Sequence, residues 1–227
     1  MNLPQNFLAF VFLIMMFGSA HAEHDLCSGI RTTGGDDPLP LIATAEVSSA
    51  KSFFKNIPST SCQGPYCQFP DKPYVIKGDH VFLVFGIGVG GKGLSYSCAE
   101  YPFNNNRKGR TSVFGWLPMS DLQPMAARKT SASDWVGNWA ERTSLIKIIQ
   151  KDNGLVVSGH SSWQKGNSVR FTGDFSSHAS ITGNTVTITD GGCKLEAVRD
   201  QSWMVVIDNQ RCGGRNVSFT GFYRRKH

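Results

Sequence analysis

The sequence predicts an all-β protein made of two small barrel- or sandwich-like domains. Short strand-like runs separated by Gly, Asn, Asp and Pro recur along the chain, and helical periodicity is scarce. Some runs alternate strictly: Thr185, Thr187 and Thr189 share one face, and Val186 and Ile188 share the other. The cysteines divide between the halves, with Cys27, Cys62, Cys67 and Cys98 in the first and Cys193 and Cys212 in the second.

In chain order, the first element is an apolar run from Leu8 to Phe17, followed by Gly18-Ser19-Ala20-His21-Ala22. Small side chains at Ala20 and Ala22 fit an Ala-x-Ala cleavage site, so residues 1–22 read as a secretory signal peptide. The run is shorter than the about 20 residues that span a bilayer. The remaining chain is expected in the periplasm, with no membrane span once the leader is removed.

A first domain is expected over residues 24–124, with strands at 41–47, 74–76, 81–85, 95–101 and 112–117 and a short helical turn at 119–122. Residues 125–133 are small and polar without a strand pattern and read as a linker. A second domain, residues 134–227, has strands expected at 144–150, 155–160, 169–175, 185–189, 194–198, 204–208 and 216–224. Gly78 followed by Asp79 supplies a turn between two apolar-rich runs.

An even number of cysteines in an oxidising compartment implies disulfides, and six of them allow fifteen pairings. The domain division pairs Cys193 with Cys212, which would clamp the closing strands of the second domain. Cys62 and Cys67 can close a local loop, which leaves Cys27 for Cys98. The absence of any Cys-x-x-Cys pair argues against a metal site.

The net charge of +6 suits an anionic envelope or an acidic protein partner. No basic run is interleaved with stacking aromatics, which argues against nucleic acid. Arg199, Arg211, Arg215, Arg224, Arg225 and Lys226 gather late in the chain and form one cationic docking edge if their strands are adjacent. Trp116 reads either as a core ring, packed on Val81, Leu83 and Tyr101, or as part of an exposed aromatic groove.

Catalytic and cofactor motifs are weak. The Gly86–Gly93 stretch matches Gly-x-Gly-x-x-Gly, yet a strand-like segment follows it instead of the helix that phosphate binding requires, so it reads as a hairpin loop. His160 lies among serines without a Gly-x-Ser-x-Gly elbow, and His178 stands apart. Asp174, Asp190, Glu196 and Asp208 lie in separate segments. No catalytic, cofactor or metal residues are assigned, and the chain is read as a non-enzyme.

Three groups of residues carry resemblances. Lys72-Pro-Tyr-Val-Ile-Lys-Gly78-Asp79, Ser95-Tyr-Ser-Cys98-Ala-Glu-Tyr101 and Gly115-Trp116-Leu-Pro-Met-Ser-Asp121-Leu122 occur in an order that resembles bacterial Src-homology-3-like domains. That resemblance implies a binding or structural module of the envelope. Gly137-Asn-Trp139 at the start of the second half and Tyr223-Arg224 at its end are similar to lipocalin-like barrels, in which a tryptophan packs against a C-terminal basic side chain. Trp163-Gln-Lys165-Gly166 resembles a segment of some periplasmic lysozyme inhibitors.

The reading that follows is an exported, non-catalytic binding protein. In concrete form it inhibits, or gives immunity to, a cell-wall-degrading enzyme, with an envelope protein or cell-wall polymer as partner. A small-ligand carrier using the second barrel and an envelope hydrolase using His160 or His178 are the alternatives.

Overall fold

The computed structural model describes residues 27, 42–56, 72–89, 95–107, 110–126, 128–152, 154–166 and 168–226. The signal-peptide segment, Cys62, Cys67 and residues 90–94 of the glycine-rich stretch lie outside the described residues. Among the described residues the chain is mostly β, and no helix is long and apolar enough to cross a membrane.

The first half forms an antiparallel sheet in the order β6-β5-β4-β1-β7. Its strands are β1 (Ile42–Val47), β4 (His80–Val89), β5 (Ser95–Arg107), β6 (Arg110–Pro118) and β7 (Leu122–Pro124). A separate ribbon pairs β2 (Lys51–Phe53) with β3 (Tyr74–Ile76). Val47, Phe54, Val75, Val81, Leu117 and Leu122 bury a shared core between sheet and ribbon. The turn at Gly78 forms as its residues require: Gly78 has φ +88°, and the Asp79 carboxylate accepts a 2.9 Å bond from the Ile76 N–H. The short helical turn is a 3₁₀ turn, Met119–Asp121.

β4 continues to Val89, so Gly86 and Gly88 lie in a strand where a hairpin loop was expected. A register shift between Val84 and Ile87 accommodates the extra residues. Cys27 and Cys98 form a disulfide. Trp116 is buried against it, together with Tyr96. The tryptophan therefore packs in a different cluster from Val81, and it is not an exposed groove.

The second half is a closed antiparallel barrel in the order β10-β11-β12-β13-β14-β15-β8-β9. Its strands are β8 (Gly137–Glu141), β9 (Ser144–Lys151), β10 (Gly154–Lys165), β11 (Ser168–Thr182), β12 (Thr185–Asp190), β13 (Cys193–Asp200), β14 (Trp203–Asp208) and β15 (Gly221–Lys226). The first and last of these meet, Arg225 opposite Trp139, and close the cylinder. Alternation points Ile146, Ile148, Leu155, Val157, Val186 and Ile188 inward, and Trp139, Phe175, Phe219 and Tyr223 fill the rest of the interior.

One rim is closed by α1 (Ala132–Trp135), which begins where a linker was expected. Ser131 caps it with Asp134 in a capping box. Trp135 is completely buried, and its indole N–H donates to Thr130 Oγ1 at 2.8 Å. We call this the helix rim. The opposite rim carries the β10–β11 turn and the Cys193–Cys212 disulfide, and we call it the hairpin rim.

β14 is buried on both faces. Met204 and Val206 face the interior, while Val205 packs outward with Phe222 against Phe82 of the five-stranded sheet. The Phe82 and Phe222 rings meet edge-on at 5.4 Å. An uninterrupted Met204-Val-Val-Ile207 run is the sequence signature of such double burial.

Glu141 gives this fold a pH signature. Burial pushes its carboxyl above the ordinary 4.5, and the Arg142 guanidinium nearby opposes that only partly. An acid with a raised folded-state pKa contributes stability that is full below 4.5 and is lost as pH rises through the raised value. Glu141→Gln should therefore raise the urea midpoint at pH 7 and flatten its decline between weakly acid and neutral pH, measured against wild type across that range.

Candidate functional site

The hairpin rim is shaped by a mismatch of strand lengths. β9 pairs with β10 only from Gly154 to Ser161, and β12 pairs with β11 only from Ala179 to Thr182. Beyond Ser161, β10 and β11 pair with each other alone, down to Lys165 opposite Ser168. Four further residues of β10 carry the ribbon roughly 13 Å past the rim.

Side-chain alternation does not stop at the rim. Leu155, Val157 and Ser161 face the barrel interior, and Trp163 continues that face. Phe171 stands opposite it, with ring centroids 5.9 Å apart. Past the rim this face loses its cover: Phe171 is 41% exposed and Val169 is 54% exposed, while Trp163 is half-buried. Lys165 and Arg170 are exposed beside them. The result is a ribbon with an aromatic inner face and cationic neighbours. A register shift between Trp163 and Gln164 adds local twist at the tip.

The loop between β14 and β15 buttresses this ribbon. The Gly214 N–H donates to Thr172 O at 3.1 Å, and a Cβ on Gly214 would come within 3.1 Å of Phe171. Gly173 and Gly213 approach so closely that a Cβ on either would lie 2.7 Å from the other's Cα, so both must be glycine.

Three devices hold the loop. Asp208 is fully buried, and its carboxylate accepts from the Gln210 N–H at 2.9 Å, from Ser218 Oγ at 3.0 Å and from the Phe219 N–H. Asn209 Oδ1 accepts from the N–H groups of Lys194 (3.1 Å) and Arg211 (3.2 Å), while its amide donates to Gly192 O at 2.9 Å. The Cys193–Cys212 disulfide ties the loop to β13. Replacing both cysteines with serine should cost about 2–4 kcal/mol. Urea unfolding of the double variant checks that figure, and amide exchange across residues 209–217 should accelerate.

The late basic residues do not share one edge. Arg199, Arg224, Arg225 and Lys226 lie toward the helix rim, and Arg211 and Arg215 belong to the buttressing loop at the hairpin rim. The two groups are separated by roughly 20 Å along β13. Arg199 and Arg225 also serve the barrel itself. Their guanidinium groups lie 6.0 and 5.0 Å from the Trp139 ring centroid, and Arg225 donates to the Asp134 carbonyl at the end of α1.

His160 and Asp174 are partners across β10 and β11, with Nδ1 2.7 Å from the carboxylate. The pair stands on the outer wall, 55% and 69% exposed, without an enclosing cleft. His178 is exposed on the same ribbon. Among the described residues no group of three or more His, Cys, Asp or Glu side chains could hold a metal ion.

Sequence reasoning singled out Trp163 and Lys165 but missed Val169, Arg170 and Phe171. Their signal was available only as a comparison of lengths, since β10 and β11 outrun their neighbours. No protein-family model, curated protein or solved structure matches this chain.

Proposed function

We propose that the protein is an exported recognition protein that inhibits, or gives immunity to, a cell-wall-degrading enzyme by offering its β10–β11 ribbon to that enzyme's cleft. The observation that carries this reading is the Trp163–Phe171 face beyond the barrel rim, where Val169 and Phe171 are exposed and Trp163 is half-buried, with Lys165 and Arg170 beside it. Enzymes that cut glycans work with paired carboxylates in an open groove. A narrow, cationic ribbon with aromatic sides complements such a groove in shape and in charge. The Cys27–Cys98 and Cys193–Cys212 disulfides fit an oxidising compartment outside the cytosol, and the periplasm is where such an enzyme would be met.

The carrier alternative draws less support, because aromatic and aliphatic side chains pack the barrel interior. The hydrolase alternative rests on the solvent-exposed His160–Asp174 pair, where water screens the electrostatics that catalysis uses.

A turbidity assay of cell-wall lysis by a panel of muramidases and other peptidoglycan hydrolases tests the proposal. Purified protein should slow at least one of them in a dose-dependent way. Lys165→Glu combined with Arg170→Glu should weaken inhibition by about tenfold or more, equal to about 1.4 kcal/mol, and the loss should shrink at high salt. Absence of inhibition across the panel, together with a periplasmic pull-down that returns no stoichiometric partner, would sink the reading.

A further inference from the structure

A second concave site lies where the five-stranded sheet meets the barrel. A cavity of about 240 Å³ opens between the Gly78–Phe82 segment and the β13–β14 turn. It is smaller than the roughly 300–1,000 Å³ of pockets that take drug-sized ligands, and matches one six-membered ring with its substituents.

Its polar groups come from both sides and hold one another in place. His80 Nδ1 lies 2.7 Å from Asp200 Oδ2, and the Gln201 amide nitrogen lies 3.1 and 3.2 Å from the two ring nitrogens of His80. The Tyr101 hydroxyl donates to Asp79 Oδ1 at 3.1 Å. Burial, with the Asp79 charge adding to it, keeps the Tyr101 hydroxyl above its usual pKa, so it remains a donor. These contacts use Oδ2 of Asp200 and the nitrogen of the Gln201 amide, and leave Asp200 Oδ1 and Gln201 Oε1 able to accept.

Two further features mark the site. Gln201 adopts φ +50°, as the two-residue turn between β13 and β14 requires, and that turn places the residue at the cavity. Flat apolar surface is supplied by Tyr101 and Trp203, the latter fixed by the Arg224 guanidinium 5.1 Å from its ring centroid. Among the described residues no lysine or arginine lines the cavity, while two aspartates do, which disfavours a phosphate or carboxylate there.

We propose that this cleft binds a neutral sugar residue. A pyranose offers apolar C–H faces to the aromatic rings and a rim of hydroxyls that can donate to Asp200 and Gln201. The inference is independent of the enzyme-inhibitor reading, which uses the opposite rim of the barrel.

Titration of the full ¹⁵N-labelled protein with chitobiose and with cellobiose, with glucose 6-phosphate as the anionic control, tests it by NMR. At least one disaccharide should bind saturably with a Kd on the order of 1 mM, and its shifts should centre on residues 79–80 and 200–203. Gln201→Gly, which suits the backbone of the turn, should weaken binding about tenfold, and Asp200→Asn should weaken it while the spectrum stays that of a folded protein. The proposal is overturned if neither disaccharide gives saturable shifts up to about 20 mM, equivalent to a binding free energy weaker than about 2.3 kcal/mol. It is equally overturned by shifts that map elsewhere, by glucose 6-phosphate binding as well as the neutral sugars, or by unchanged affinity in both variants. The assay contains no hydrolase, so a negative result leaves the ribbon's role standing.

Discussion

Asp208→Ala should lower the stability of the protein by about 3–5 kcal/mol, because it strands several buried donors at once. The carboxylate is fully buried and receives the Gln210 and Phe219 N–H groups and the Ser218 hydroxyl. The Ser218 hydroxyl can rotate to find another acceptor or water. The two N–H groups cannot turn. Asp208→Asn is the sharper variant. Whichever way its amide is flipped, the NH₂ opposes either the Phe219 or the Gln210 N–H, so about 2–3 kcal/mol should be lost with almost no change in volume. Urea denaturation with the disulfides intact measures both, and a loss under about 1 kcal/mol in the alanine variant would show that the carboxylate does not hold the loop.

Trp139→Ala should be of similar size, about 3–5 kcal/mol, through a different mechanism. The ring is fully buried at the helix rim, and its N–H donates to Trp135 O at 2.8 Å. Removing it opens a cavity and also deprives Arg199 and Arg225 of the aromatic face over which they lie. The Nε atoms of both arginines are buried without hydrogen-bond partners, so the indole is part of what makes their position tolerable. Trp139→Phe keeps an aromatic face and should recover part of the loss. Thermal unfolding resolves the difference, because 1 kcal/mol moves the midpoint of a protein of this size by about 2–4 °C.

How far the fold was legible depends on which physical signal each element leaves in the sequence. Strict alternation identifies residues 185–189 as a strand, and the structure places β12 there. The Gly78–Asp79 turn was legible because a positive φ and a carboxylate that binds its own backbone leave residue-type signatures. The Cys193–Cys212 pair followed from its isolation in the second half.

Other elements left no such trace. Residues 216–224 read as one strand, yet β15 begins only at Gly221. The backbone of Ser218 and Phe219 bonds instead to Ser161 and to Asp208, partners distant in sequence. The lengths of β10 and β11 also escaped, because alternation alone does not tell where a strand's neighbours end. For the same reason six basic residues close in sequence were read as one edge. A strand that crosses the barrel sends nearby residues to opposite rims.

The pairing of β8 with β15 has a practical consequence for any experiment on this molecule. Lys226 lies beside Asn138 at the helix rim, whereas the Lys165 turn leaves from the other end. Tethering the polypeptide to a sensor chip or resin just after Lys226 therefore presents the Trp163–Phe171 ribbon outward to a soluble analyte, whereas anchoring through Lys165 would mask it.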